Sequence, residues 1–168
     1  MDIFCEYIVK KKPTMKDRVK QIGIILLAIV LVEIFIVLNN LLFGVGLLLG
    51  VAVIYGAVYL FKRTNIEYEY ILTNSILDID KIFAKSSRKR VESIDFKNVE
   101  AFGKAQDAPM SQAKEIDYAG DITADDVYYF EIFKDGERKR IYFQPNQKIL
   151  SNLHKVAPKI VPVFEDDR

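Results

Sequence analysis

An almost unbroken apolar stretch of forty residues, 22–61, dominates this 168-residue chain. Asn39 and Asn40 divide it into two runs. A membrane-spanning helix needs about 20 mainly apolar residues, and a soluble fold of this size has too little remaining chain to bury both runs. A cleaved signal peptide would show a shorter apolar part and a small-residue cleavage site. The sequence therefore predicts a transmembrane hairpin at 21–61, with helices at about 22–38 and 41–61.

The basic residues beside the hairpin predict its orientation. The turn at Asn39-Asn40 carries no charge, whereas lysines and arginines flank the outer ends of both helices. Because positively charged flanks stay on the cytoplasmic side, we expect a multi-pass protein of the cell membrane with both termini in the cytoplasm. The flanking cations are Lys10, Lys11, Lys12, Lys16, Arg18, Lys20, Lys62 and Arg63.

Two features inside the hairpin indicate helix contacts. Small residues spaced four apart let helices approach closely, either within the hairpin or between two copies. Glu33 is the only ionisable residue in the apolar stretch. Such a residue can mark an ion pathway or an intramembrane polar contact between helices. We favour the alternative that Glu33, five residues from the outer end of its run, extends its side chain toward the membrane surface or is protonated against a neighbour. The candidate packing residues are Gly46, Gly50, Ala52 and Gly56.

The segment 1–20 precedes the hairpin and reads MDIFCEYIVKKK over its first twelve residues. Ile3, Phe4, Tyr7 and Ile8 share one helical face, so we expect an amphipathic helix on the inner membrane surface. Cys5 is either acylated there or, as we favour, an ordinary thiol.

After Arg63 the apolar period changes from helical to alternating. Alternation predicts strands near 66–72, 77–83, 88–94 and 98–102, a long loop at 104–126 with one short strand near 116–118, and a hairpin at 127–143. Pro145 then starts a helix that Pro158 ends. These elements predict a compact β-rich cytoplasmic domain at 64–158, followed by a C-terminal tail at 159–168.

Three short motifs carry a resemblance to bacterial membrane-associated pleckstrin-homology domains. YILTN at 70–74 resembles their first hairpin, IDFKNV at 94–99 their strand-three to strand-four corner, and FQP at 143–145 their last strand and helix. The resemblance implies a pleckstrin-homology-like antiparallel barrel with a C-terminal helix. No glycine marks the second hairpin, and the 104–126 loop is longer than a plain barrel needs.

Two basic clusters occur at predicted hairpins. Relatives of this fold hold lipid phosphates with basic loops, so the first cluster is a candidate contact for anionic lipid. The alternative, which we favour, is a solvated sheet edge where cations prevent pairing with other strands. The first cluster is Lys85, Arg88, Lys89 and Arg90, and the second is Lys134, Arg138, Lys139 and Arg140.

The composition argues against several classes of function. A net charge of +1 argues against nucleic acid, and one cysteine and one histidine argue against a metal site, a bound cofactor or Cys/His catalysis. The acidic residues of the 104–126 loop have no metal-binding spacing and indicate a mobile loop. We therefore expect a non-catalytic binding or scaffold module whose partner is the bilayer, a second copy or another membrane protein. The alternative is an accessory subunit of a transporter or channel, with Glu33 as the contact.

Overall fold

A computed structural model of the protein describes residues 3–164. The chain forms two compact units. The helical unit contains residues 13–66, and the β unit combines the N-terminal segment up to Lys12 with the chain from Glu67 onward. The β unit is therefore discontinuous in sequence, in contrast to the continuous domain expected from residue 64.

The helical unit consists of α1 (Met15–Val37) and α2 (Val45–Arg63). Thr14 caps α1 in a capping box with Asp17, as the Ser/Thr preference at this position leads one to expect. The second helix starts later than predicted because Gly44, at φ 86°, ends a turn that includes residues 41–43. Both helices are long and apolar enough to cross a membrane, and 0% and 11% of their apolar windows are buried. Within the described residues, the chain therefore does not cover these helices as it would cover the core helices of a soluble fold.

The first sheet of the β unit has the strand order β1-β2-β3-β4. Its strands are β1 (Phe4–Lys10), β2 (Ile66–Thr73), β3 (Ile76–Phe83) and β4 (Ser87–Asp95). The expected N-terminal surface helix is wrong, because residues 4–10 form a strand that pairs antiparallel with β2. Cys5 points into the core and is 3% exposed, so its thiol is not available for acylation in the folded unit. Burial raises the pKa of that thiol.

The second sheet has the order β5-β7-β8-β6. It contains β5 (Ala101–Lys104), β6 (Lys114–Asp117), β7 (Tyr128–Lys134) and β8 (Glu137–Phe143). The expected closed antiparallel barrel needs two corrections. Within residues 3–164 the strands form two separate sheets, because the chain turns after β4 and β5 pairs with β7. In addition, β6 runs parallel to β8.

A core of fully buried aromatic and aliphatic side chains fills the β unit, and α3 (Gln147–Val156) packs against β1. Asn146, rather than Pro145, begins this helix, since its side chain accepts a hydrogen bond from the Ile149 amide. The segment after Pro158 also contributes to the core, because Val161 is fully buried and Phe164 contacts Tyr128. Residues 165–168 of the expected tail lie outside the described residues. The largest buried side chains are Tyr70, Phe96, Phe130 and Phe143.

Candidate functional site

The end of the first sheet where the chain departs for the helices carries a small cavity. Lys10 at the end of β1 pairs with Glu67 at the start of β2, so the chain leaves and re-enters the β unit at neighbouring positions. Since the four strands alternate in direction, the β3–β4 turn lies at this same end. The cavity, of about 440 Å³, is lined by Ile8, Glu67, Ile82, Lys85, Ser86, Ser87 and Arg88. We call it the turn cavity.

Lys85 is held at the tip of the β3–β4 turn by an uncommon backbone geometry. Ala84 and Lys85 both have positive φ, 52° and 58°. Two successive positive φ values match the tight hairpin turn that Asn-Gly usually forms, and residues with a Cβ adopt it at a cost of about 1–3 kcal/mol each. This hairpin has no glycine, so Ala84 and Lys85 adopt the strained backbone that a glycine would adopt easily. Lys85 is exposed beside the turn cavity.

Arg88 and Arg90 are not free cations. Arg88 lies 2.9 Å from Glu69, and Arg90 lies 2.8 Å from Asp78 and 3.0 Å from Asp80. Glu69 is 2% exposed, and its burial raises its pKa despite Arg88. Within residues 3–164, Lys85 and Lys89 make no ion pair, so they carry the uncompensated charge of the first basic cluster.

The second basic cluster is fully paired. All four of its cations lie within ion-pair distance of carboxylates on the same unit, so this cluster is a network that links strands of the β unit. The pairs are Lys134–Glu92 at 2.9 Å, Arg138–Glu100 at 3.0 Å, Lys139–Asp135 at 2.8 Å and Arg140–Glu131 at 2.6 Å.

The acidic segment expected to be mobile instead fastens the end of β1. The Lys12 amide donates to the Gly120 carbonyl at 2.8 Å, and Lys12 Nζ lies 2.7 Å from Asp121. This lysine and Thr123 lower the pKa of Asp121 to about 2. A Cβ added at Gly120 would lie 2.6 Å from the Val9 side chain and 2.8 Å from the Lys10 carbonyl, so only glycine fits. We call residues 118–123 the clamp loop.

The described residues offer no metal centre: in 3–164 no group of three or more His, Cys, Asp or Glu side chains is arranged to hold a metal ion.

The four small residues predicted to pack helices lie on two faces of α2. Gly46 and Gly50 are buried, and a Cβ at Gly46 would collide with the Phe35 carbonyl oxygen, so this glycine permits the close approach of α1. Ala52 is exposed, and the space beside Gly56 is open. Gly46 thus serves contact within the hairpin, and Ala52 and Gly56 belong to a different face.

Glu33 is exposed and has no hydrogen-bond or ion-pair partner within residues 3–164. It lies at one end of an apolar groove between α1 and α2, which has a volume of about 810 Å³. The two helices meet at both ends of this unit, where Gln21 Nε2 donates to Thr64 Oγ1 at 2.8 Å and Asn39 Oδ1 accepts from the Leu47 amide at 3.3 Å.

The chain resembles one described family of proteins. Residues 1–163 match the sequence profile of a family described as "Bacterial PH-like domain (DUF6106)". No curated protein and no solved structure gives a match.

Proposed function

The chain belongs to this bacterial PH-like domain family, and from that premise we propose that it is a membrane-anchored, non-catalytic binding module. Its β unit is presented at the inner membrane surface to anionic lipid or to a protein partner. PH-like domains generally act by binding rather than by catalysis. An accessory subunit of a transporter or channel is the second candidate, because the exposed Glu33 has no partner within residues 3–164.

The observation that carries the proposal is the insertion of the helical unit between two paired strands. Lys10 and Glu67 are neighbours across the β1–β2 ladder, so both connections to the helices start from one end of one sheet. A folded β unit cannot straddle a bilayer, and therefore both connections lie on the same side. The cations that flank both helices favour the cytoplasmic side.

The orientation predicts which positions are reachable from outside the cell. In a full-length chain with Cys5 replaced by Ala, Asn40→Cys in the turn between the helices should react with a membrane-impermeant maleimide added to intact cells. Ser86→Cys in the β3–β4 turn should react only after permeabilisation. The readout is the mass shift of the protein on a gel. Labelling of Ser86→Cys in intact cells would reverse the orientation and contradict the proposal.

The turn cavity supports anionic lipid as the ligand of the β unit. Lys85 lies at its rim with unpaired charge, and the lining includes the apolar Ile8 and Ile82 and the hydroxyl groups of Ser86 and Ser87. A basic side chain near an anionic membrane surface contributes about 1 kcal/mol, which corresponds to roughly a fivefold change in binding. The partly apolar wall suits the border between headgroups and acyl chains.

Lys85→Gln should therefore weaken contact with anionic lipid, whereas Lys97→Gln should not. Hydrogen exchange of residues 83–88 is measured on the full-length chain in nanodiscs of phosphatidylglycerol and of phosphatidylcholine. In the unmodified protein, exchange should be about fivefold slower in the anionic discs, and high salt should remove the difference. Lys97→Gln should keep the difference, because Lys97 is an exposed cation just after β4, at the end of the first sheet opposite the β3–β4 turn. Equal exchange in both lipids at low salt would direct the search to a protein partner.

A further inference from the structure

The groove between α1 and α2 has apolar walls and polar side chains at its two ends. Its walls are aliphatic and aromatic, with Ile29 and Val32 on α1 and Val58 and Phe61 on α2. Its volume of about 810 Å³ falls in the range of roughly 300–1,000 Å³ that is usual for small-molecule sites. The groove lies entirely within the helical unit.

The two ends of the groove carry different polar side chains. Lys62 and Asn65 line the end at which α2 leaves the apolar stretch, and Glu33 lines the other. Lys62 is exposed and makes no ion pair within residues 3–164. A cation and an amide side chain at the border of the apolar stretch provide donors for a phosphate, whereas the carboxyl group of Glu33 supplies no cation at the other end.

The length of the groove matches one leaflet. On α1 the lining runs from Ile24 to Glu33. At 1.5 Å per residue this distance is about 14 Å, close to half of the roughly 30 Å hydrocarbon core. An acyl chain whose headgroup lies beside Lys62 therefore extends along the groove as far as Glu33.

From these three observations we infer that the groove is a binding site for one anionic phospholipid of the inner leaflet, with an acyl chain along the apolar walls and its phosphate at Lys62 and Asn65. The inference rests on the membrane insertion and orientation proposed above. A second copy of the chain is less suited to the groove than a phospholipid, because symmetric pairing through the groove would bring the Lys62 side chains of the two copies together. Like charges at such a contact oppose association.

The test is native mass spectrometry of the full-length chain in detergent, titrated with phosphatidylglycerol or with phosphatidylcholine of identical acyl chains. We expect one tightly retained phosphatidylglycerol and about fivefold weaker retention of phosphatidylcholine. Lys62→Gln should remove this preference, whereas the matched control Arg63→Gln should retain it, since Arg63 lies over the Tyr59 ring and does not line the groove.

A second pair of variants tests the apolar walls. Ala57→Leu fills the groove and should weaken retention of both lipids at least fivefold, whereas Ala52→Leu adds the same atoms on an exposed face and should change neither. Helicity measured by circular dichroism confirms that each variant is folded. Equal retention of the two lipids, or equal effects of a variant and its control, would show unspecific annular lipid and overturn the inference.

Two further outcomes distinguish failure of the lipid site from failure of the proposed function. If alkaline carbonate releases the chain from membranes, insertion itself fails and both proposals fall. If the chain stays in the membrane but Ala57→Leu and Glu33→Gln abolish crosslinking between copies and leave lipid retention unchanged, the groove is a helix interface. That result overturns the lipid site and leaves the membrane-anchored module intact.

Discussion

A fragment that begins at residue 64 is expected not to fold, although it contains seven of the eight strands of the β unit. It lacks β1, which pairs with β2 along seven residues and supplies the buried Cys5 and the Tyr7 ring, 6.4 Å from the Tyr70 ring. Removing an entire strand costs an amount comparable to the 5–15 kcal/mol that stabilises a typical domain. Near-ultraviolet circular dichroism during heating should show no cooperative transition.

The matched control restores the strand without the two apolar helices. Joining residues 3–12 to residues 65–164 through a short Gly-Ser linker keeps the Lys10–Glu67 pair and the Lys12 contacts with the clamp loop. This rejoined chain should unfold cooperatively. Equal melting temperatures for the rejoined chain and for the fragment would show that β1 contributes nothing to the fold.

Arg140→Met is expected to destabilise the rejoined β unit by about 3–5 kcal/mol, because it leaves a buried carboxylate without its cation. Arg140 and Glu131 face each other across the β7–β8 ladder, are 2% and 8% exposed, and are joined by a hydrogen bond of 2.8 Å from Arg140 Nε. The guanidinium also lies 5.0 Å from the centre of the Tyr129 ring. Urea denaturation measures the loss.

Arg138→Met is the control for this prediction. Arg138 pairs with Glu100 at the surface, where the side chains are 55% and 44% exposed, so its loss should cost less than about 1 kcal/mol. Replacing both members of the buried pair, as Arg140→Met with Glu131→Leu, should recover much of the stability. A loss below about 1 kcal/mol for Arg140→Met alone would show that water reaches the carboxylate.

Local patterns predicted most elements of the fold. The alternation from Ile66 to Phe83 and the Asp135-Gly136 turn correspond to observed strands and to an observed turn with φ 58° and 80°. The short strand expected near Ile116 is β6. The PH-like assignment from three short motifs agrees with the family to which the chain belongs.

A helix was predicted in place of β1 because the sequence of this segment fits both a helical and a strand period. Phe4, Tyr7 and Ile8 share a helical face, while Cys5, Tyr7 and Val9 alternate as in a strand. Its partner β2 lies beyond the whole helical hairpin, so no local pattern reveals the pairing. An insertion of this kind becomes visible only when both segments are considered together.

Local sequence patterns also could not predict which cations of the candidate site are paired with carboxylates. Arg88 and Arg90 form a basic run in the sequence, yet their carboxylate partners lie on β2 and β3. The register shift at Ile79 and Asp80 decides that Asp80 pairs with Arg90. The clamp loop is a similar case, since its contact with Lys12 joins distant parts of the chain.

The insertion of the helices between β1 and β2 has a consequence for biosynthesis. The first strand leaves the ribosome well before its partner, which follows only after the entire helical hairpin has been translated. At bacterial elongation rates the delay is on the order of seconds, during which the first strand waits unpaired. Completion of the first sheet therefore follows synthesis of the two helices, and until β2 has been made the first strand keeps an open edge that invites association with other chains.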